Sequence, residues 1–263
     1  NKYNGTPLHL ALEKDYTDIA KILIYEGIDI DKIDDNGLTP VYIACRKENY
    51  EIMKLLIDNG VDIFSNTFYS DTLLNISCRT GNLKIVKLLI DDGVDVNETN
   101  HNGEFPLFTA CGEGSYEIVE ALINSGAFAD IKDSSDETLI HIVSRKGHEH
   151  ILHLLIERGM DINRRNKTGQ TPLFLACKNG HLNIVTKLLN AGANLYENTF
   201  LCESLVMENI NLVRILLDFG TNVNRCNKEG DLPLHMAVNN GHLEVVKLLI
   251  DFGANVNKCN KGG

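Results

Sequence analysis

Apolar residues recur along the chain with a period of 33 residues. One leucine position is repeated eight times, and a glycine follows each of these leucines four residues later. The spacing shortens once, to 28 residues, between the sixth and seventh members. The leucines are Leu23, Leu56, Leu89, Leu122, Leu155, Leu188, Leu216 and Leu249. Such self-similarity indicates a chain built from repeated supersecondary units.

Within each repeat, the pattern predicts two helices joined by a tight turn and followed by an extended finger. In the sixth repeat Thr171 and Pro172 favour a helix start, because the hydroxyl accepts an orphan amide and proline lacks the unused donor. This first helix is expected to run from Pro172 to Asn179 and to end at Gly180. The second, from His181 to Ala191, has one apolar face at helical spacing, formed by Leu182, Ile184, Val185, Leu188 and Leu189.

A two-helix unit of this size cannot bury its apolar stripe alone, so we expect neighbouring repeats to stack around a continuous core. The predicted fold is all-α, a solenoid of helix-turn-helix units with finger loops, in a single array over residues 1–263. Because Leu10 and Ile19 in the first repeat look like interior residues, we expect the array to be a piece of a longer one. The predicted units are approximately 1–33, 34–66, 67–99, 100–132, 133–165, 166–193, 194–226 and 227–259, with 260–263 starting a further repeat.

A short motif opens several repeats, as in Thr6-Pro7-Leu8-His9, Thr171-Pro172-Leu173 and Leu232-Pro233-Leu234-His235. Together with the 33-residue period, this motif resembles the ankyrin repeat family over essentially the whole chain. The resemblance implies a concave side formed by first helices and fingers. It also implies that the motif histidines bond to turn backbone; these are His9, His141 and His235.

Some repeats depart from the family pattern. The third has Asn75 at the motif histidine position, and the fourth has Phe105 and Phe108 around its Pro-Leu pair. The seventh enters its first helix five residues early, at Asn198-Thr199-Phe200-Leu201, which predicts a truncated finger and a notch or a local change of curvature. Three repeats place an acidic residue where a helix-capping glycine belongs: Asp15, Glu48 and Glu208.

Composition and charge limit the classes of function that the chain can have. The net charge of −11, from 25 Lys+Arg and 36 Asp+Glu, argues against nucleic-acid binding, which needs clustered cations. No apolar stretch approaches the roughly 20 residues of a membrane span, and from the polar residues Asn1-Lys2-Tyr3-Asn4 we expect no signal peptide. We therefore expect neither nucleic acid nor membrane insertion, and a monomeric protein.

The seven cysteines are expected to be reduced. Equivalent cysteines lie one repeat apart, about 10 Å, whereas a disulfide needs Cα atoms within about 7 Å. Small buried thiols suit a tight inter-repeat position, and a reducing compartment follows. The expected location is the cytoplasm. The alternative is that the protein is secreted into a host cell as an effector. The shared first-helix position holds Cys45, Cys78, Cys111 and Cys177.

Catalysis and metal binding are not expected. Polar residues fall into stacked rows, whereas catalysis needs a nucleophile, a base and oxyanion donors that converge on one point. The rows of histidines are too widely spaced to share one zinc ion. His150 and His153 are the exception, at i and i+3 on an exposed helix face, where chelation of adventitious metal competes with simple solvation. No cofactor is predicted.

A basic row at the ends of the first helices is the first candidate binding surface. Acidic finger residues, including Asp71 and Glu104, lie beside it. One interpretation is a cationic strip that attracts an acidic peptide or protein surface. The other is that the strip and the fingers neutralise one another in weak surface pairs. The row contains Arg46, Lys47, Arg79, Arg145, Lys146 and Lys178.

The third finger is the second candidate, because Phe64, Phe68 and Tyr69 cluster in its loop. Exposed aromatic side chains are typical interface anchors. Alternatively, one or two of them fold inward and replace the missing proline and histidine of that repeat. Phe105 and Phe108 extend the patch unless Phe108 occupies the interior histidine position.

These patterns predict a non-catalytic protein-interaction scaffold or adaptor that binds another protein through its concave face and fingers. The alternative is a structural spacer or targeting module of a larger protein whose activity lies outside this chain. In some animal ankyrin repeats an asparagine after a G-x-D-V pattern is hydroxylated. The matching asparagines here also suit a structural turn; they are Asn97, Asn163, Asn224 and Asn257.

Overall fold

The computed structural model describes residues 5–64, 71–195, 200–206, 209–227 and 229–260. This part of the chain contains sixteen α-helices. They fall into two compact halves, an N-terminal half, Asn1–Asp133, and a C-terminal half, Ser134–Gly263. Every helix in the described segments is too short or too polar to span a bilayer.

Each half contains four helical hairpins, in which odd numbers denote first helices and even numbers second helices. The N-terminal half comprises α1 (Pro7–Glu13), α2 (Thr17–Tyr25), α3 (Pro40–Arg46), α4 (Tyr50–Asp58), α5 (Leu73–Thr80), α6 (Leu83–Asp91), α7 (Pro106–Glu113) and α8 (Tyr116–Asn124). The C-terminal half comprises α9 (Leu139–Lys146), α10 (Glu149–Glu157), α11 (Pro172–Lys178), α12 (Leu182–Asn190), α13 (Phe200–Val206), α14 (Ile210–Asp218), α15 (Pro233–Asn239) and α16 (Leu243–Asp251).

Side-chain caps explain where several of the helices begin. The hydroxyl of Thr171 accepts the Phe174 amide at 3.2 Å and starts α11 at Pro172, as predicted. The second helices α4, α6 and α14 use asparagine in the same way; in α6 the Asn82 side chain accepts the Ile85 amide at 3.2 Å. The helix bounds predicted for the sixth repeat are correct to within one residue.

The apolar stripes meet between neighbouring repeats. Within each half, first helices pack on first helices and second helices on second helices, as in α3 on α5 and α10 on α12. The recurring leucine is fully buried from the second repeat to the eighth, for example at Leu56 and Leu216. The predicted all-α solenoid of stacked hairpins is therefore confirmed within each half.

The seventh repeat begins its first helix early, as predicted. Helix α13 starts at Phe200, so the segment after Gly192 is five residues shorter than the segment between Gly159 and α11. Its apolar residues join a core shared with the eighth repeat, to which Leu205, Leu217 and Leu249 contribute. The predicted notch falls on residues 196–199, outside the described residues, as does Glu208.

Candidate protein-binding surface

Two motif histidines fasten a first helix to the finger of the next repeat. In His9 the Nδ1 atom accepts the Thr6 amide at 3.2 Å, and Nε2 lies 3.0 Å from the Leu38 carbonyl oxygen. His141 repeats this arrangement with Thr138 and with the Gln170 carbonyl at 3.1 Å. Burial holds the pKa of His141 below its usual value. The bonding to turn backbone that the family resemblance implies is therefore present at these two positions.

In the third repeat, Asn75 makes hydrogen bonds equivalent to those of the motif histidine. Its Nδ2 donates to the Thr72 hydroxyl at 3.1 Å and to the Glu104 carbonyl at 3.3 Å. Its Oδ1 accepts the Thr109 hydroxyl at 2.9 Å. The amide thus supplies the same link between a helix start and the next finger, together with one extra bond.

The fourth and eighth repeats also depart from the family motif. Phe108 is buried in the motif position and its ring lies 6.4 Å from that of Phe105, so the interior alternative holds for Phe108. In the eighth repeat Leu232 replaces the motif threonine and has no hydroxyl to offer. As a result, the buried Nδ1 of His235 has no hydrogen-bond partner among the described residues.

The fingers are held in shape by side-chain turns at their bases. The Oδ1 atom of Asp34 accepts the amides of Asn36 and Leu38, both at 2.9 Å. Asn100 and Asn166 make the same pair of bonds to amides two and four residues later. Side chains on the fingers are therefore presented by a fixed backbone, which lowers the entropic cost of binding.

In the N-terminal half, Arg79 lies beside two carboxylates of this same chain. Arg79 donates to Asp71 and lies 3.7 Å from a Glu104 oxygen. Asn100 bonds to the same two carboxylates, at 3.0 Å and 2.8 Å. The bond to Asp71 raises the pKa of Arg79. The predicted site residues Asp71, Arg79 and Glu104 thus form one cluster that bridges two repeats.

The other cations of the basic row differ in how they are paired. Arg46 lies 2.6 Å from Glu13, and Lys47 lies 3.3 Å from Asp15. In the C-terminal half, Arg145 lies 2.7 Å from the buried carboxylate of Glu137. Lys146 and Lys178 are exposed, and neither forms an ion pair with a carboxylate of the described residues. Their positive charges are therefore the ones still available to a partner.

Of the predicted aromatic cluster, Phe64 lies within the described residues, and Phe68 and Tyr69 lie outside them. The Phe64 side chain is 61% exposed, and its amide donates to the Asp62 carboxylate at 2.9 Å. A second phenylalanine, Phe128, is equally exposed. Sequence reasoning missed it, although a comparison among the repeats identifies it, because Asp or Asn occupies this position in the other seven.

Three of the four asparagines considered for modification bridge neighbouring repeats. Asn97 accepts the Phe128 amide at 2.8 Å and donates to the Gly126 carbonyl at 3.2 Å. Asn163 and Asn224 each accept an amide of the following repeat at 2.8 Å. For Asn257, the structure gives an amide bond to the Asn255 side chain at 2.9 Å. These contacts support the structural role, and hydroxylation stays a prediction.

The cysteines that repeat along the first helices are buried free thiols. Burial raises the pKa of Cys45 to about 12 and raises that of Cys78 and Cys111 as well. The described residues contain no group of three or more His, Cys, Asp or Glu side chains placed to hold a metal ion. His153 lies 3.5 Å from Glu157 on an exposed helix face.

Comparisons with known proteins agree with this architecture. The family model for ankyrin repeats in three copies matches residues 1–67, 64–133 and 126–199. The model for ankyrin repeats in many copies matches residues 200–250. The crystal structure of the human ASB11 ankyrin repeat domain is 27% identical, with a TM-score of 0.73, and the match covers 83% of this chain and 99% of that one. A comparison with curated proteins found no similar sequence. The chain therefore belongs to the ankyrin repeat family.

Proposed function

We propose that this chain is a non-catalytic scaffold that binds another protein through its fingers and the adjoining ends of its first helices. Ankyrin repeats are generally protein–protein interaction modules without catalytic activity. One observation carries the proposal. Backbone turns such as those at Asp34 and Asn100 hold the fingers, while the side chain of Phe64 is left exposed.

The charge distribution favours an acidic partner segment that contacts the fifth and sixth repeats. Four cations of the basic row are already bonded to carboxylates of this chain, so a partner would have to compete for them. Lys146 and Lys178 have no such pairing among the described residues. An acidic segment therefore gains most at these two lysines, since unpaired surface charges speed association and select partners.

Phe64 is the proposed aromatic anchor of the third finger. An exposed phenylalanine buries a large apolar area on binding and loses little conformational freedom, which is typical of interface hot spots. Because its backbone amide is bonded to Asp62, the residue is positioned before the partner arrives. We expect alanine at this position to weaken binding by about 1–2 kcal/mol.

The test is affinity capture with the full chain as bait, followed by measurement of the dissociation constant for the purified captured protein. We expect the double variant Lys146→Glu and Lys178→Glu to weaken binding by about tenfold. The matched control is Lys84→Glu with Lys87→Glu, which reverses two exposed charges on α6. If both double variants bind as the unmodified chain does, the fifth and sixth repeats are not the acidic-partner site.

A further inference from the structure

The residue that follows each second helix points to a further surface. This position is exposed in all eight repeats, including those with a neighbour on each side, so stacking does not bury it. Six repeats fill it with small, polar or charged residues, and the last two fill it with phenylalanine. The position holds Glu26, Asn59, Asp92, Ser125, Arg158, Ala191, Phe219 and Phe252.

The two phenylalanines share one local geometry. The amide of Phe219 donates to the Ile215 carbonyl, and that of Phe252 to the Leu248 carbonyl, both at 3.1 Å. A glycine with positive φ follows each ring and ends the helix. Both side chains are 38% exposed. Because α14 packs on α16, the two rings occupy equivalent positions on stacked helices, and we expect them to lie about 10 Å apart, the usual spacing of packed helix axes.

Three features at each ring favour a cation. An exposed aspartate, Asp218 or Asp251, precedes the ring as the last residue of its helix. The C-terminal end of a helix has a partial negative charge, and the face of an aromatic ring attracts ammonium and guanidinium groups. Neither aspartate forms an ion pair with a cation of the described residues, although Arg214 lies one turn earlier. Lys247, in the equivalent position, is bonded to Glu244 at 2.7 Å.

We propose that Asp218, Phe219, Asp251 and Phe252 form an acid–aromatic ladder that binds an α-helix of another protein bearing Lys or Arg at positions i and i+7. In a helix, residues seven apart lie on one side and are separated by about 10.5 Å, which matches the spacing of the ladder. An extended segment does not match, since side chains on one face of a strand are about 6.6 Å or 13 Å apart.

The ladder lies at the ends of second helices and shares no residue with the finger surface proposed above. The two proposals can therefore fail separately. The two surfaces also prefer partners of opposite charge. The ladder favours a cationic helix, whereas the exposed lysines of the finger surface favour an acidic partner. This difference supplies an internal control for the experiment.

The probe is a fluorescein-labelled Ala/Gln peptide of about 20 residues, a length that is helical in isolation. One version has Arg at i and i+7, a second has Arg at i and i+4, and a third has Glu at i and i+7. Fluorescence anisotropy with the full chain gives the dissociation constants. We expect the first version to bind about tenfold more tightly than either of the others.

Four double variants of the chain complete the test, two in the ladder and two controls outside it. Phe219→Ala with Phe252→Ala should weaken binding of the first peptide by about tenfold, whereas Asn59→Ala with Asp92→Ala, at the same position of other repeats, should not. Since the rings are more than half buried, Asp218→Asn with Asp251→Asn tests the ladder without loss of volume and should also weaken binding. Lys146→Glu with Lys178→Glu should leave this affinity unchanged. Equal binding of all three peptides, or unchanged affinity in both ladder variants with native circular dichroism, would overturn the proposal.

Discussion

At the scale of single residues, each of the first two hairpins has an acidic residue in a left-handed backbone position. Asp15 and Glu48 have φ values of 57° and 56°, in the turn between helices where Gly81 has a φ of 78°. Side chains with a Cβ atom are strained in this region, by roughly 1–2 kcal/mol, and glycine is not. Backbone strain at these residues therefore lowers the stability of the first two hairpins by a small amount.

We expect Glu48→Gly to raise the free energy of unfolding by about 1 kcal/mol, because it relieves this strain. The bond that the Asn82 side chain donates to the Glu48 carbonyl is retained, since its acceptor is a backbone atom. Urea denaturation followed by circular dichroism measures the change. Glu26→Gly is the matched control: at a φ of −80° glycine should be destabilising, by about 0.5–1 kcal/mol. A loss of stability in both variants would contradict the strain argument.

His141 gives the stability of the chain a pH dependence of known sign. Burial places its pKa in the folded state below the unfolded value of 6.5, so the unfolded state binds the proton more readily. The contribution of this residue is present above pH 6.5 and is lost as the pH falls through the folded pKa. We therefore expect the free energy of unfolding to fall between about pH 7 and pH 5.

The variant His141→Asn isolates this effect, because Asn75 shows that an amide fits the same position. Its unfolding free energy should fall less over this pH range than that of the unmodified chain, in urea titrations at a series of pH values. Parallel curves for the two proteins would show that the pH dependence arises elsewhere.

At the scale of elements, the Asn97 side chain joins two repeats through a pair of backbone bonds. Asn97→Ala leaves the Phe128 amide and the Gly126 carbonyl without these partners, and we expect a loss of about 1 kcal/mol in unfolding free energy. Asn102→Ala, at an exposed position of a finger, is the control and should change stability little. Thermal and urea unfolding measure both. Equal stability of the two variants would mean that water replaces the Asn97 bonds at no cost.

The helices were predictable because their determinants are local. Thr171, Pro172 and Gly180 lie within one hairpin, and the apolar stripe of α12 repeats at helical spacing. The partners of charged side chains were not predictable to the same degree. Glu104 reaches Arg79 from the next repeat. Whether the basic row is free to bind a partner or is neutralised by the fingers therefore depends on side-chain positions, which no local sequence pattern encodes. Exposed rings such as Phe128 become visible once repeats are compared position by position.

At the scale of the whole molecule, each half has its own stacked core, and stability in repeat proteins is a sum of repeat and interface contributions. Within the described residues, buried polar atoms without a hydrogen-bond partner lie in the C-terminal half. Leu232 offers no hydroxyl cap, the Nδ1 of His235 is unbonded, and the buried Ser144 hydroxyl has no partner among the described residues. An unsatisfied buried polar atom costs about 1–3 kcal/mol. We therefore expect the C-terminal half to be the less stable one.

Buried cysteines report on this difference, because thiols that are buried and protonated react only after local opening. Cys78 lies in the N-terminal half and Cys202 in the C-terminal half, and both are buried, whereas Cys259 is exposed. Pulse labelling with N-ethylmaleimide at increasing urea, read by peptide mass spectrometry, should modify Cys259 without urea. Cys202 should then react at a lower urea concentration than Cys78. A common midpoint for Cys78 and Cys202 would show that the two halves unfold as one cooperative unit, and would reject the order expected from their polar contacts.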